Sequence, residues 1–182
     1  MRSPRSVTFT PIGIPFRSLN AATSFFETVA IAFWPVIIDN SSIRYGILNY
    51  VAKYSLASDS YFVTSKCFEH LNDLGLLKKG KLLRGSKGSK NRFTFEHPIP
   101  SNVIADEVIK SIGDKNKIMK ILRETDLVTV ITYEENDMIN KSGYIKKMPI
   151  NSLTQKDMFA RYKLSGVEVP TRRIKVYGAI AR

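Results

Sequence analysis

The chain of 182 residues has one cysteine, Cys67, and two histidines, His70 and His97. A lone thiol excludes an intrachain disulfide framework and a cysteine-rich zinc site. Two isolated histidines with no helical pairing make a poor zinc ligand set. The absence of disulfides fits a reducing compartment, so a cytoplasmic location is expected, with nucleoid association as a variant. No apolar run reaches the roughly 18–20 residues that span a bilayer. The longest, Val29 to Ile38, has ten residues and contains Pro35. No membrane partner is expected. The chain also lacks a P-loop, a dinucleotide glycine motif, an Asp-x-Asp pair and a serine-centred elbow, the signatures that carry phosphate cradling and acyl transfer. No cofactor is expected, apart from Mg²⁺ if the protein were a metal-dependent nuclease.

Acid is the scarcest commodity relative to its counterpart. There are 16 Asp and Glu against 28 Lys and Arg, a formal net charge of +12. Such a surplus favours a polyanionic partner, nucleic acid first. Hydrophobic residues make up 43% of the chain, enough for a packed core and too many for disorder throughout. Residues 1–22 carry Arg2, Arg5 and Arg17 and no acid. That composition fits a transit peptide, but Pro4, Pro11 and Pro15 spoil an amphipathic helix, so a basic arm is the preferred reading.

Along the chain, Ser24-Phe25-Phe26-Glu27 fits a capping box before an apolar helix that ends at Pro35. Ile43, Ile47, Tyr50, Val51 and Tyr54 recur at spacings of three and four, one apolar stripe on a helix begun by Ser41 or Ser42. A turn over Leu56 to Ser60 precedes a helix expected from Tyr61 to Leu74, closed by Gly75. Leu76-Leu77 and Leu82-Leu83 are short strand signals, and Arg92 to Glu96 alternates as a half-buried strand does. Between them, Arg84 to Asn91 reads as a solvated tip. After His97-Pro98-Ile99-Pro100, helices are expected from Ser101 and from Asp114. A buried strand over Leu127 to Tyr133 follows, then a capping box in Thr132 to Glu135 opening a helix to about Lys141. Thr154 is expected to cap a helix that ends at Gly166, with weak strands over Val167 to Val169 and Arg173 to Tyr177.

The order helix, helix, hairpin from Ser41 to Glu96, with Phe68-Glu69-His70-Leu71-Asn72-Asp73-Leu74-Gly75-Leu76-Leu77 running into a glycine-rich basic hairpin, resembles a winged-helix DNA-binding domain. The resemblance covers about a third of the chain. It implies that the outer side of the helix over 61–74 enters a major groove. Thr64, Ser65, Lys66, Glu69, Asn72 and Asp73 are then the candidates there, with Asn72 on an adenine edge and Lys66 on guanine or phosphate. Charge supports a phosphate contact independently. Leu77 to Arg92 holds Lys78, Lys79, Lys81, Arg84, Lys87, Lys90 and Arg92, seven cations in sixteen residues without an acid. Glycine and serine between them allow close backbone approach, and the cations can displace counterions from a phosphate backbone. The competing reading is a loop made basic for solubility. The Arg172-Arg173-x-Lys175 run either extends the basic surface or guards a strand edge.

A catalytic reading rests on fewer residues. Glu96 and His97 end a strand beside a rigid turn, where an imidazole can be held near neutral pKa. With Glu134 or Glu135 as a further acid, and with Arg161 and Tyr162 on a later helix, these groups suit acid–base chemistry on a phosphodiester or a glycosidic base. Alternatively Glu96, Asp106, Glu107, Glu134, Glu135 and Asp137 could gather a divalent cation. The structural alternative makes Glu96 and His97 a satisfied strand-end pair and Glu134 and Glu135 first-turn acids.

The expected architecture is α/β (α+β), with a winged-helix-like region over 23–96 packed on a small α/β region over 97–182. The expected function is nucleic-acid binding, duplex DNA foremost, by the basic hairpin and its helix. The alternatives are a nucleic-acid-cleaving or base-excising enzyme, restriction- or toxin-like, and a structural part of a nucleoprotein assembly. A homodimer is the further partner considered.

Overall fold

The computed structural model describes residues 41–84, 86 and 88–178. The expected basic arm, the Ser24–Glu27 capping box with its apolar helix, and Lys87 lie outside the described residues. In chain order the elements are α1 (Ser41–Leu56), β1 (Ser60–Val63), α2 (Ser65–Asp73), β2 (Leu77–Lys78), β3 (Lys81–Leu83), the single turn α3 (Gly88–Asn91) and β4 (Phe93–Glu96). Then come α4 (Ser101–Lys110), α5 (Lys115–Glu124), β5 (Thr129–Thr132), α6 (Tyr133–Lys141), α7 (Ala160–Ser165) and β6 (Arg172–Tyr177). The class is α/β, helices with one mixed sheet.

Among the described residues the sheet has six strands in the order β2-β3-β6-β1-β5-β4. β1 runs parallel to β5, and β3 to β6, while the other neighbours are antiparallel. One face buries Tyr61, Val63, Leu82, Phe93, Val128, Val130, Ile174 and Val176 against Cys67 and Leu71 of α2. The other buries Ile131 against Ile139 of α6, Tyr162 of α7 and Val167. A third core joins α1, α4 and α5 through Ile47, Tyr50, Val51, Ile104, Ala105, Val108, Ile118 and Leu122. Ile47, Tyr50, Val51 and Tyr54 of the stripe expected on the first helix are therefore on the face that packs. Strands and helices from both sides of residue 97 share these cores.

Several local expectations change. The helix expected from Tyr61 starts only at Ser65, because Tyr61 and Val63 point inward on alternate positions of β1. Thr64 is the true cap, its Oγ1 accepting from the Cys67 N–H at 3.3 Å. Thr154 caps no helix: turns occupy 150–156 and 158–159, and the helix begins at Ala160. No strand forms over Val167–Val169, whereas Arg172–Tyr177 does form one, and it lies inside the sheet between β3 and β1. The edge-guarding reading of its charges is thereby overturned.

The largest correction concerns the basic tip. The strands on either side of it, β3 and β4, do not pair; β6, β1 and β5 lie between them. Residues 84–92 are a crossover, and the hairpin that does form is the short β2–β3 pair turning at Lys79-Gly80, both at positive φ. The crossover is bound to the body. Arg84 donates from Nη1 to the Gly178 carbonyl at 2.8 Å and from Nη2 to the carbonyls of Ala57 and Ser58. The Asn91 carbonyl sits 2.7 Å from His70 Nε2. Gly88 lies so near β4 that a Cβ there would stand 2.3 Å from the Phe93 carbonyl oxygen.

Candidate nucleic-acid interface

Four of the five residues considered for catalysis come together. Arg161, whose side chain is 2% exposed, donates from Nη1 to Glu96 Oε1 at 2.9 Å, to the His97 carbonyl at 2.9 Å and to the Pro98 carbonyl at 3.4 Å. Tyr162 donates to Glu96 Oε2 at 2.7 Å. His97 Nε2 lies 3.3 Å from the Ala52 carbonyl on α1. A carbonyl only accepts, so that nitrogen carries the proton. Burial pushes the Glu96 carboxyl up, against the pull of Arg161 and Tyr162. Burial pushes the His97 imidazole down, which keeps it neutral, and raises the Tyr162 phenol. Both carboxylate oxygens and the imidazole Nε2 thus have internal partners. The cluster ties the end of β4 to α7 and to α1, where the chain leaves the sheet for the helical core.

The fifth residue is elsewhere. Glu134 sits at the start of α6, beyond the opposite end of β4, and pairs with Arg92 at 2.7 Å. That hydrogen bond holds its carboxyl at about 2. Glu135 is buried as the second half of the expected capping box, its Oε2 accepting from the Thr132 N–H and from the hydroxyls of Thr132 and Thr64. Asp106 pairs with Arg44 and Glu107 with Lys110. Among the described residues no group of three or more His, Cys, Asp or Glu converges as metal ligands would. The six acids considered for a divalent cation are divided among three elements, β4, α4 and α6.

Of the nine cations and polar residues considered for nucleic acid, the eight that are described do not form one surface. Lys66 and Asn72 are exposed on α2, against one face of the sheet. A carboxylate already occupies the start of that helix, since Glu168 accepts from the Ser65 N–H at 2.8 Å and its hydroxyl at 2.9 Å. Lys90 is exposed on the crossover. Arg84 is spent on backbone carbonyls, and Arg92 on Glu134. Lys79 is exposed at the β2–β3 turn.

Lys78 and Lys81 are different, because strand register gives them company. Lys78 pairs with Lys81 across the hairpin, and Lys81 pairs with Lys175 of β6. Their neighbours Leu77, Leu82, Ile174 and Val176 face the α2 side, so alternation sends all three lysines to the other face. α6 and α7 cover that face over β5 and β1. Over β2, β3 and β6 no helix of the described residues covers it, and Lys78, Lys81, Arg173 and Lys175 are exposed. Arg173 lies over the Phe62 ring at 4.5 Å. Among the described residues none of the three lysines has a carboxylate within ion-pair distance. Arg173 and Lys175 belong to the run expected either to extend the basic surface or to guard a strand edge, whereas Tyr177 was not among the expected site residues. The only local signal was the alternation of Arg173, Lys175 and Tyr177 with Ile174 and Val176.

The chain matches no family model, no curated protein and no solved structure. No helix of the described residues is long and apolar enough to cross a membrane.

Proposed function

We propose that the protein binds nucleic acid, and that the open sheet face over β2, β3 and β6 is where phosphates are met. The observation that carries this reading is the row Lys78, Lys81, Lys175, three like charges on directly paired positions. Like charges opposite each other on neighbouring strands cost roughly 0.2–1 kcal/mol per pair. Nothing described on that face offsets the cost in the free protein, whereas a chain of phosphates would. Strands about 4.8 Å apart put the outer lysines about 10 Å from each other, a span over which one strand presents more than one phosphate. The net charge of +12 adds long-range attraction.

The test is binding of a labelled oligonucleotide by fluorescence anisotropy at rising salt. Each neutralised phosphate contributes a log–log slope of about −0.7 on a single strand and about −0.9 on B-DNA. Lys78→Ala, Lys81→Ala and Lys175→Ala together should flatten the slope by about 2–3 units. Lys66→Ala with Lys90→Ala serves as the control and should flatten it less. A slope untouched by the triple change would remove the sheet face from consideration. The cleaving alternative draws on the meeting of Glu96, His97, Arg161 and Tyr162, but the Glu96 carboxylate, the Tyr162 hydroxyl and His97 Nε2 are already bound to partners within the protein. Strands should therefore run at full length on a denaturing gel after incubation. Shortened products that vanish in His97→Ala would favour cleavage instead.

A further inference from the structure

Resting on that reading, we infer that the open face takes an unpaired strand, with nucleobases stacked on Tyr177 and on the Arg173–Phe62 pair. β6 carries Arg173, Lys175 and Tyr177 on one face, since Ile174 and Val176 are committed to the core on the other. Tyr177 pairs with the exposed Leu83 and shares the open face with Lys81 and Lys175. Among the described residues its ring stacks on no other ring or cation. At the far end of the strand the Arg173 guanidinium covers Phe62, which in turn meets Phe159 edge-to-face with ring centres 5.4 Å apart. Phe159 thus supports one side of the Phe62 ring and Arg173 caps it. The outer plane of a guanidinium held this way is a surface on which bases stack, as they do on aromatic rings.

The spacing fits a strand laid along β6. Arg173 and Tyr177 are four residues apart, about 13 Å at the usual rise, with the cation Lys175 between them. The row Lys175, Lys81, Lys78 leads sideways off that line and can follow the phosphates. An aromatic platform inside a basic surface is how proteins hold single strands without sequence preference. A duplex cannot use it, because its bases are already stacked within the helix.

Affinity for a labelled 12-nucleotide single strand and for the same sequence as a duplex should be compared on the full chain. The single strand is expected to bind more tightly at equal salt. Tyr177→Ala should weaken single-strand binding between about 5-fold and about 150-fold, the range for loss of one base–aromatic stack. Tyr177→Phe should retain it, since stacking needs the ring and no hydroxyl. Should Tyr177→Ala compromise folding, Tyr177→Trp answers the same question. Its emission, less that of Trp34 measured in the parent chain, should be quenched by the single strand and unmoved by the duplex. Equal or tighter duplex binding, with Tyr177→Ala neutral or Tyr177→Trp unquenched, overturns the platform and leaves the phosphate-binding face standing. No salt-dependent binding to either oligonucleotide overturns both.

Discussion

Arg161→Leu is the most informative single perturbation of the fold. The wild-type guanidinium is buried and one nitrogen, Nη1, serves Glu96 and the carbonyls of residues 97 and 98. Leucine keeps apolar bulk and removes all three donations. Glu96, 13% exposed, is left with Tyr162 as its remaining hydrogen-bond partner. Stranding one member of a buried ion pair costs about 3–5 kcal/mol. The orphaned carbonyls would add to this, at roughly 1–3 kcal/mol each if water stayed out, so about 4 kcal/mol is a conservative expectation. That is a large part of the roughly 5–15 kcal/mol that holds a domain together. In urea, with a slope near 2 kcal/mol/M, the midpoint should fall by about 2 M. Adding Glu96→Gln should return about 1 kcal/mol or more, because the stranded charge is gone, although Glu96→Gln alone is destabilising. The pH dependence gives an independent check. Without Arg161 the folded-state pKa of Glu96 lies further above its unfolded value, near 4.3. The folded state then holds the proton more tightly, so the penalty shrinks as pH falls toward 5 and grows toward 7. A loss under about 1 kcal/mol at unchanged slope, or no recovery on adding Glu96→Gln, would falsify the view that this cluster is a structural joint.

Two further consequences are measurable. Burial pushes the Asp126 carboxyl up to about 6, and its Oδ1 is buried without a hydrogen-bond partner. A folded pKa above the unfolded value of 3.8 means that stability falls as pH rises from about 4 to about 6. The bare shift corresponds to about 3 kcal/mol, and partial solvent access reduces this to about 1 kcal/mol. Asp126→Asn should therefore be more stable at pH 7 by about that amount and lose the slope; urea midpoints at pH 4.5 and 7 decide it. Gly88→Ala forces a Cβ onto the Phe93 carbonyl, where backbone has to move. It should cost about 1–3 kcal/mol while leaving oligonucleotide affinity intact at a temperature where the protein is folded. A neutral result in calorimetry would show that the crossover does not run against β4.

The readings of local chemistry fared differently from those that needed distant partners. The helical stripe at Ile47, Tyr50 and Val51, the capping box of Thr132 and Glu135, Asp114 as a cap and Gly166 as a left-handed helix end are all in place. Each depends on residues within a few positions of one another, so side-chain spacing and backbone hydrogen bonding settle it. The helix expected at Tyr61–Val63 failed because three residues are too short for period two to outweigh a neighbouring helix pattern. Sheet partners were a different matter. Nothing near Leu83 or Phe93 says that three strands lie between them, and that separation turned a supposed hairpin tip into a crossover. It also dispersed a cation cluster that is continuous in sequence, sending Arg84 and Arg92 to internal partners. Conversely, Lys175 stands about ninety positions from Lys81 and becomes its neighbour only through β3–β6 pairing. Composition alone determined that the chain is basic, packs a core and carries no disulfide framework. Which of its charges share a surface was decided by long-range strand register, a property of the assembled sheet that no short stretch of residues contains.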